Sequence, residues 1–131
     1  MRPDVLVDTS IWIEFFNRDK SVIADSLEKL IMEDKVVVAG IVLTELLQGT
    51  KNEKEFHAVL DTMTALPFLE SRMNTWIEAG RISFSLRRKG ITIPTTDIII
   101  ASLAIENSCK IYTMDPHFDK IPHINRYDAS S

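Results

Sequence analysis

The sequence predicts an α/β domain with a mainly parallel central sheet of four to five strands and helices on both faces. Three observations carry that reading. Short apolar runs, Val5-Leu6-Val7 and Val36-Val37-Val38-Ala39 among them, alternate with longer stretches whose apolar residues recur at helical spacing. The runs are continuously apolar, as strands covered on both faces are. The chain has 131 residues, 45% of them hydrophobic and 26% charged, which suits one globular domain with a sizeable core.

Taken in order, Val5-Leu6-Val7 is a buried strand closed by Asp8. Ile11 to Phe16 form a helical turn or two packing back on it, and 17–20 (Asn-Arg-Asp-Lys) are a loop. From Val22 to Glu33 the apolar positions 23, 27, 30 and 31 mark an amphipathic helix. Lys35 to Ala39 are a second buried strand, ended by Gly40. Leu43 to Leu47 restart as a helix that stops near Gly49. Asn52 to Leu66 are helical, with Phe56, Val59, Leu60 and Met63 on one face, and Leu66 to Leu69 are a short third strand. A long helix spans Ser71 to Lys89, with Met73, Trp76, Ile77, Gly80 and Phe84 facing inward and Gly90 ending it. Pro94-Thr95-Thr96-Asp97 start another helix, with a hydroxyl cap and an acid in the first turn, which runs to about Ser108. Ala101 and Ala104 let that helix approach a neighbour closely. Lys110 to Met114 are a strand closed by Asp115, then come a helical turn to Lys120 and an edge strand over Ile124 to Tyr127. No internal repeat or linker interrupts the chain, so residues 1–131 are expected to form a single domain.

No stretch approaches the roughly 20 apolar residues that cross a membrane. The N-terminal apolar run is too short and too soon charged for a signal peptide. The single cysteine, Cys109, excludes an internal disulfide and agrees with a reducing, cytoplasmic setting. The formal charge of −4, from 15 Lys plus Arg against 19 Asp plus Glu, argues against holding nucleic acid by global basicity. That conclusion depends on where the acids sit.

In a parallel α/β sheet the functional edge lies outside the carboxyl ends of the strands. Asp8 and Asp115 each follow a strand. Glu45 lies near the start of the helix after the second strand, and Asp97 starts the helix before the Ile111 strand. Both helix N-termini face the same edge and offer some dipole stabilisation to an anion. The intervals of 37, 52 and 18 residues give no local motif, so only topology brings the four together. Each acid alone reads equally well as a turn or cap residue; four at one edge do not. Converging carboxylates without a matching cation repel one another, and a divalent ion resolves the conflict. An all-oxygen set selects Mg²⁺ or Mn²⁺ over Zn²⁺. The chemistry that follows is metal-assisted phosphodiester hydrolysis. Thr9, Ser10 and Thr113 flank the acids and are placed to hold carboxylates or metal waters. Removing the four acids leaves 15 acids against 15 bases, so the charge excess is concentrated in the pocket.

Four segments in order, Val7-Asp8-Thr9-Ser10-Ile11-Trp12, Val42-Leu43-Thr44-Glu45-Leu46, Pro94-Thr95-Thr96-Asp97-Ile98-Ile99-Ile100-Ala101 and Tyr112-Thr113-Met114-Asp115-Pro116-His117-Phe118, resemble the PIN-domain ribonucleases, and within them the small VapC-type toxins. The resemblance implies a PIN-like three-layer fold and a Mg²⁺- or Mn²⁺-dependent endoribonuclease acting on RNA. It also implies inhibition by a cognate VapB-type antitoxin, and homodimerisation. Asp8, Glu45 and Asp97 match the family's three core acids and Asp115 the more variable fourth. Thr9 and Thr113 match positions that tend to carry a small polar group.

Asp119, one helical turn after Asp115, could substitute for it or add to it, but reads first as a surface acid. Arg87-Arg88-Lys89 is the only compact basic run; it suits a solvated helix end and could also guide RNA phosphates toward Asp97. Arg72, Lys51 and Lys54 are further candidates for that task. His57 reads as a helix-surface residue and His123 as a loop residue. His117 could touch RNA but reads first as surface. Trp12, Phe15, Phe16 and Trp76 read as core, with an apolar groove for an antitoxin helix as the rival, which exposed aromatics would favour.

Two other classes compete. A haloacid-dehalogenase-type Mg²⁺ phosphatase wants a second Asp two residues after the first, where this chain has Ser10, and a phosphorylation-receiver domain wants clustered acids at the first strand and a Lys after a late one. A catalytically silent PIN-like binding or regulatory module is the non-enzymatic alternative.

Overall fold

A computed structural model of the chain describes residues 3–17 and 21–129. The expected loop at 17–20 lies, but for Asn17, outside the described residues. Among the described residues the sheet has four strands, β1 (Val5–Val7), β2 (Val36–Ala39), β3 (Phe68–Leu69) and β4 (Lys110–Tyr112), in the order β3-β2-β1-β4. All pairings are parallel. Among the same residues six helices flank the sheet as a three-layer α/β fold: α1 (Thr9–Phe16), α2 (Val22–Met32), α3 (Gly40–Gln48), α4 (Glu53–Thr64), α5 (Met73–Arg88) and α6 (Thr95–Glu106). The expected edge strand near Tyr127 is reduced to a single parallel bridge between Ile111 and Arg126.

The two central strands explain why the apolar runs are continuous. Every residue of β1 and β2 is buried, because helices cover both faces. β3 is only two residues long and half open, as an edge strand can be. Gly40 lets α3 begin directly at the end of β2; a Cβ there would stand 3.3 Å from the Phe68 ring. α3 thus starts three residues before Leu43.

α6 is the central helix, buried continuously from Asp97 to Ala104. Such a helix is apolar all round rather than amphipathic. Its small residues do as expected: Ala101 and Ala104 are buried, and Ser102, also buried, donates its hydroxyl to the Thr75 carbonyl on α5. The expected hydroxyl cap is not made: Pro94 is the N-cap and makes no side-chain capping bond.

The long helix α5 corrects one expectation. It buries Thr75, Ala79 and Leu86, not the stripe read from its large apolar residues. Met73, Trp76, Ile77 and Phe84 are exposed, and Gly80 has open space beside it. The reason is competition for the contact face. Thr75 and Ala79 lie on the buried side, where the Thr75 carbonyl accepts from Ser102 on α6. Trp12, by contrast, is fully buried and packs against Phe15 edge-on and Phe16 face-on, as expected of core aromatics.

Three helices end in one way. α2, α5 and α6 are each followed by a residue of positive φ, Asp34 (57°), Gly90 (80°) and Ser108 (55°). The amide after it then bonds back to the helix: Lys35 to Leu30 O, Ile91 to Leu86 O and Cys109 to Ala104 O. Only the glycine announces this in the sequence.

Candidate metal centre at the carboxyl edge of the sheet

The register between β1 and β4 pairs Val7 with Tyr112, and the Asp8 amide donates to the Tyr112 carbonyl at 2.9 Å. The next residues on each strand, Asp8 and Thr113, therefore meet at the carboxyl edge. Both are buried. Asp8 is also the N-cap of α1, where its Oδ1 accepts from the Thr9 amide at 2.7 Å. Its Oδ2 accepts from the Ser10 hydroxyl at 3.1 Å and from the Thr113 hydroxyl at 2.6 Å. One carboxylate thus takes three donors, and its orientation is fixed.

The hydroxyls expected to support the acids each bridge two elements. Thr9 Oγ1 donates to Glu45 Oε1 at 2.8 Å, tying α1 to α3. Ser10 Oγ accepts from the Met114 amide at 3.1 Å, and Thr113 Oγ1 accepts from the Asp115 amide at 2.9 Å. Glu45 reaches this network from the second turn of α3, whose first turn holds no acid, so the helix dipole acts on it little. Asp97 does lie in the first turn of α6, and it is buried.

A residue read from the sequence as surface stands inside the site. His117 Nδ1 lies 3.1 Å from Asp115 Oδ1 and 3.3 Å from Asp97 Oδ2. Asp115 caps the 3-10 turn Pro116–Lys120, its Oδ1 accepting from the His117 amide at 2.8 Å. Phe118, fully buried, anchors that turn. The signal in the sequence was the two-residue spacing from Asp115, which a 3-10 turn folds back on the acid.

Burial, then the charges of Asp115 and Asp8, push the Asp97 carboxyl up to about 6, with His117 opposing. Among the described residues no Lys or Arg pairs with Asp8, Glu45, Asp97 or Asp115. The donor set is thus rich in carboxylate oxygen and short of positive charge, the chemistry that a divalent cation fits. Asp97, Asp115 and His117 offer ligand atoms within 4.8 Å of one another.

Asp119 is placed elsewhere. It pairs with Arg126 at 2.7 Å, and Arg126 also donates to the Thr113 carbonyl, so that acid secures the strand end and does not join the group. Arg87, Arg88 and Lys89 end α5; the Arg88 guanidinium lies 5.5 Å from the Phe84 ring centre. Arg87 lines a groove of about 460 Å³ with Trp76, Phe84, Thr95 and Ile99.

A parallel α/β fold with acids from separate elements collected at its carboxyl edge defines a hydrolase-like acidic centre. The PIN domain family model matches residues 5–124, and the chain belongs to that family. It is 29% identical to VapC ribonuclease Mb1587 of Mycobacterium bovis, over 97% of this chain and 98% of the relative. It is 27% identical to ribonuclease VapC2 of Rickettsia felis, over 91% and 92%. Among solved structures, it is similar to DNA-bound VapBC from Salmonella typhimurium (TM-score 0.83, 24% identity, 96% of this chain and 98% of that one). It is also similar to VapBC2 from Rickettsia felis bound to a promoter DNA fragment (TM-score 0.80, 24% identity, 98% and 100%). At that identity the structural likeness speaks to the fold.

Proposed function

We propose that this chain is a divalent-metal-dependent endoribonuclease, the toxin of a VapBC-type toxin–antitoxin pair, working as a single domain over residues 1–131 in the cytoplasm. The observation that carries the reading is the linkage of Asp8, Glu45 and Asp115 through Thr9 and Thr113, with Asp97 joined to Asp115 through His117 and raised by burial, then by the charges of Asp115 and Asp8. The names of the curated relatives support ribonuclease as the activity.

Asp8, Asp97 and Asp115, with Glu45 beside them, would hold Mg²⁺ or Mn²⁺. When bound, the ion supplies a Lewis acid for the phosphoryl oxygens and lowers the pKa of an attacking water. The chain's own residues prepare the site. Thr113, Ser10 and the Thr9 amide fix the Asp8 carboxylate, and Thr9 holds Glu45 at 2.8 Å. Arg87, Arg88 and Lys89 would guide phosphates past the start of α6.

The exposed stripe Met73, Trp76, Ile77 and Phe84 supports a protein partner, for which we propose a VapB-type antitoxin and a second copy of the chain. No helix among the described residues is long and apolar enough to cross a membrane.

The test is cleavage of defined RNAs, read by 5′-end mapping, with Mn²⁺ or Mg²⁺ added back to EDTA-treated protein. Wild type should cut and Asp97→Asn should lose on the order of a thousandfold, the cost of several kcal/mol of transition-state stabilisation. Equal cleavage by the two proteins would sink the proposal. Absence of metal-dependent cleavage of any RNA by wild type would favour the silent binding module.

A further inference from the structure

We propose that His117 is itself a metal ligand, through Nδ1, and that it gives this site a preference for Mn²⁺ over Mg²⁺. The inference rests on the metal-centre reading above and adds a nitrogen donor to a set otherwise made of oxygen.

The geometry is that of neighbouring ligands. On an octahedron with metal–ligand bonds of about 2.1 Å, adjacent donor atoms lie roughly 3 Å apart. His117 Nδ1 stands 3.1 Å from Asp115 Oδ1 and 3.3 Å from Asp97 Oδ2, the spacing of a ligand adjacent to each carboxylate, and the three residues offer donor atoms within 4.8 Å of one another. Their mutual approach is held by the backbone. Asp115 accepts from the His117 amide, and the buried Phe118 ring fixes the turn between them. Asp97 comes from the rigid first turn of α6, whose following residues are buried to Ala104.

The chemistry of the donor decides the metal. Mg²⁺ takes oxygen ligands and keeps much of its water, whereas an imidazole nitrogen adds more to the binding of a first-row transition ion. Asp8, held by three donors of its own, and Glu45, held by Thr9, complete the surroundings with oxygen. One imidazole among carboxylates and water leaves the site open to Mn²⁺ without the sulfur or multiple-imidazole set that Zn²⁺ favours. The ring coordinates as the Nε2–H tautomer, its Nδ1 lone pair free for the ion.

The experiment uses the whole protein, stripped with EDTA and titrated with Mn²⁺ alone. Free Mn²⁺ is counted by room-temperature electron paramagnetic resonance, with Mg²⁺ as competitor, and the bound ion is examined by electron spin echo envelope modulation. Wild type should bind Mn²⁺ at least about tenfold more tightly than Mg²⁺ and show modulation from a coordinated nitrogen. His117→Gln, with unchanged circular dichroism, should lose that modulation and about tenfold in Mn²⁺ affinity, with Mg²⁺ affinity little altered. Bound Mn²⁺ without nitrogen modulation in wild type would overturn the His117 assignment and leave the carboxylate site standing; so would modulation that survives His117→Gln. Failure of wild type to bind Mn²⁺ at all would overturn the metal-centre reading together with this one.

Discussion

Thr113 donates its hydroxyl hydrogen to Asp8 Oδ2 across 2.6 Å, joining two buried residues 105 positions apart in the chain. The same Thr113 oxygen accepts from the Asp115 amide, so one hydroxyl aligns two of the acids. Thr113→Val keeps the volume and removes both bonds. It should cost about 1–3 kcal/mol in urea unfolding and reduce RNA cleavage about 10- to 100-fold. Thr113→Ser should recover most of both losses. Wild-type behaviour of the valine variant would show that the hydroxyl is dispensable.

Asp97 should make the metal-free protein less stable as pH rises. An unfolded chain ionises this carboxyl near pH 4, whereas burial and the neighbouring acids hold the folded group to about 6. Between those values the folded state keeps a proton that the unfolded state has released. The stabilisation is therefore complete below about pH 4 and lost as pH rises through about 6. In EDTA, the Tm of wild type should fall relative to that of Asp97→Asn across this window. Adding Mn²⁺ at pH 7 should close the gap by raising the wild type. Parallel Tm profiles for the two proteins would contradict the assignment.

The C-terminal ends of α2 and α6 carry Asp34 and Ser108 at positive φ, where a side chain costs energy that glycine does not. Ser108→Gly should raise stability by up to about 1 kcal/mol, a Tm increase of a few degrees, without altering metal affinity. A lower Tm would mean that the serine side chain contributes something that its φ does not reveal.

Trp12 and Trp76 should respond oppositely to truncation. Trp12 is fully buried in a stack with Phe15 and Phe16, and Trp12→Ala should cost about 3–5 kcal/mol. Trp76 is half-exposed, and Trp76→Ser combined with Phe84→Ser should leave the monomer within about 1 kcal/mol of wild type. The double variant should instead weaken association, read by light scattering of the free protein and by pull-down of a co-expressed antitoxin. Intact association in both assays would assign the stripe no part in binding.

The sequence by itself determined the parallel α/β class, since short β-branched runs such as Val36–Ala39, alternating with stretches of helical periodicity, suit strands covered on both faces. It also offered Asp8, Glu45, Asp97 and Asp115 as candidates, because a strand end or a helix that faces the carboxyl edge can be read from local pattern and topology. Three things waited for the tertiary structure. The facing of α5 was one: periodicity identifies a stripe of large apolar residues, but the fit against α6 chose Thr75 and Ala79 for burial. The standing of Asp119 was another, because its partner Arg126 follows a turn whose path has no sequence signature. The third was His117, whose ring enters the site only because a 3-10 turn folds it back between Asp115 and Asp97. Local pattern fixes which residues lie at the edge, whereas the contacts between elements decide which of them meet.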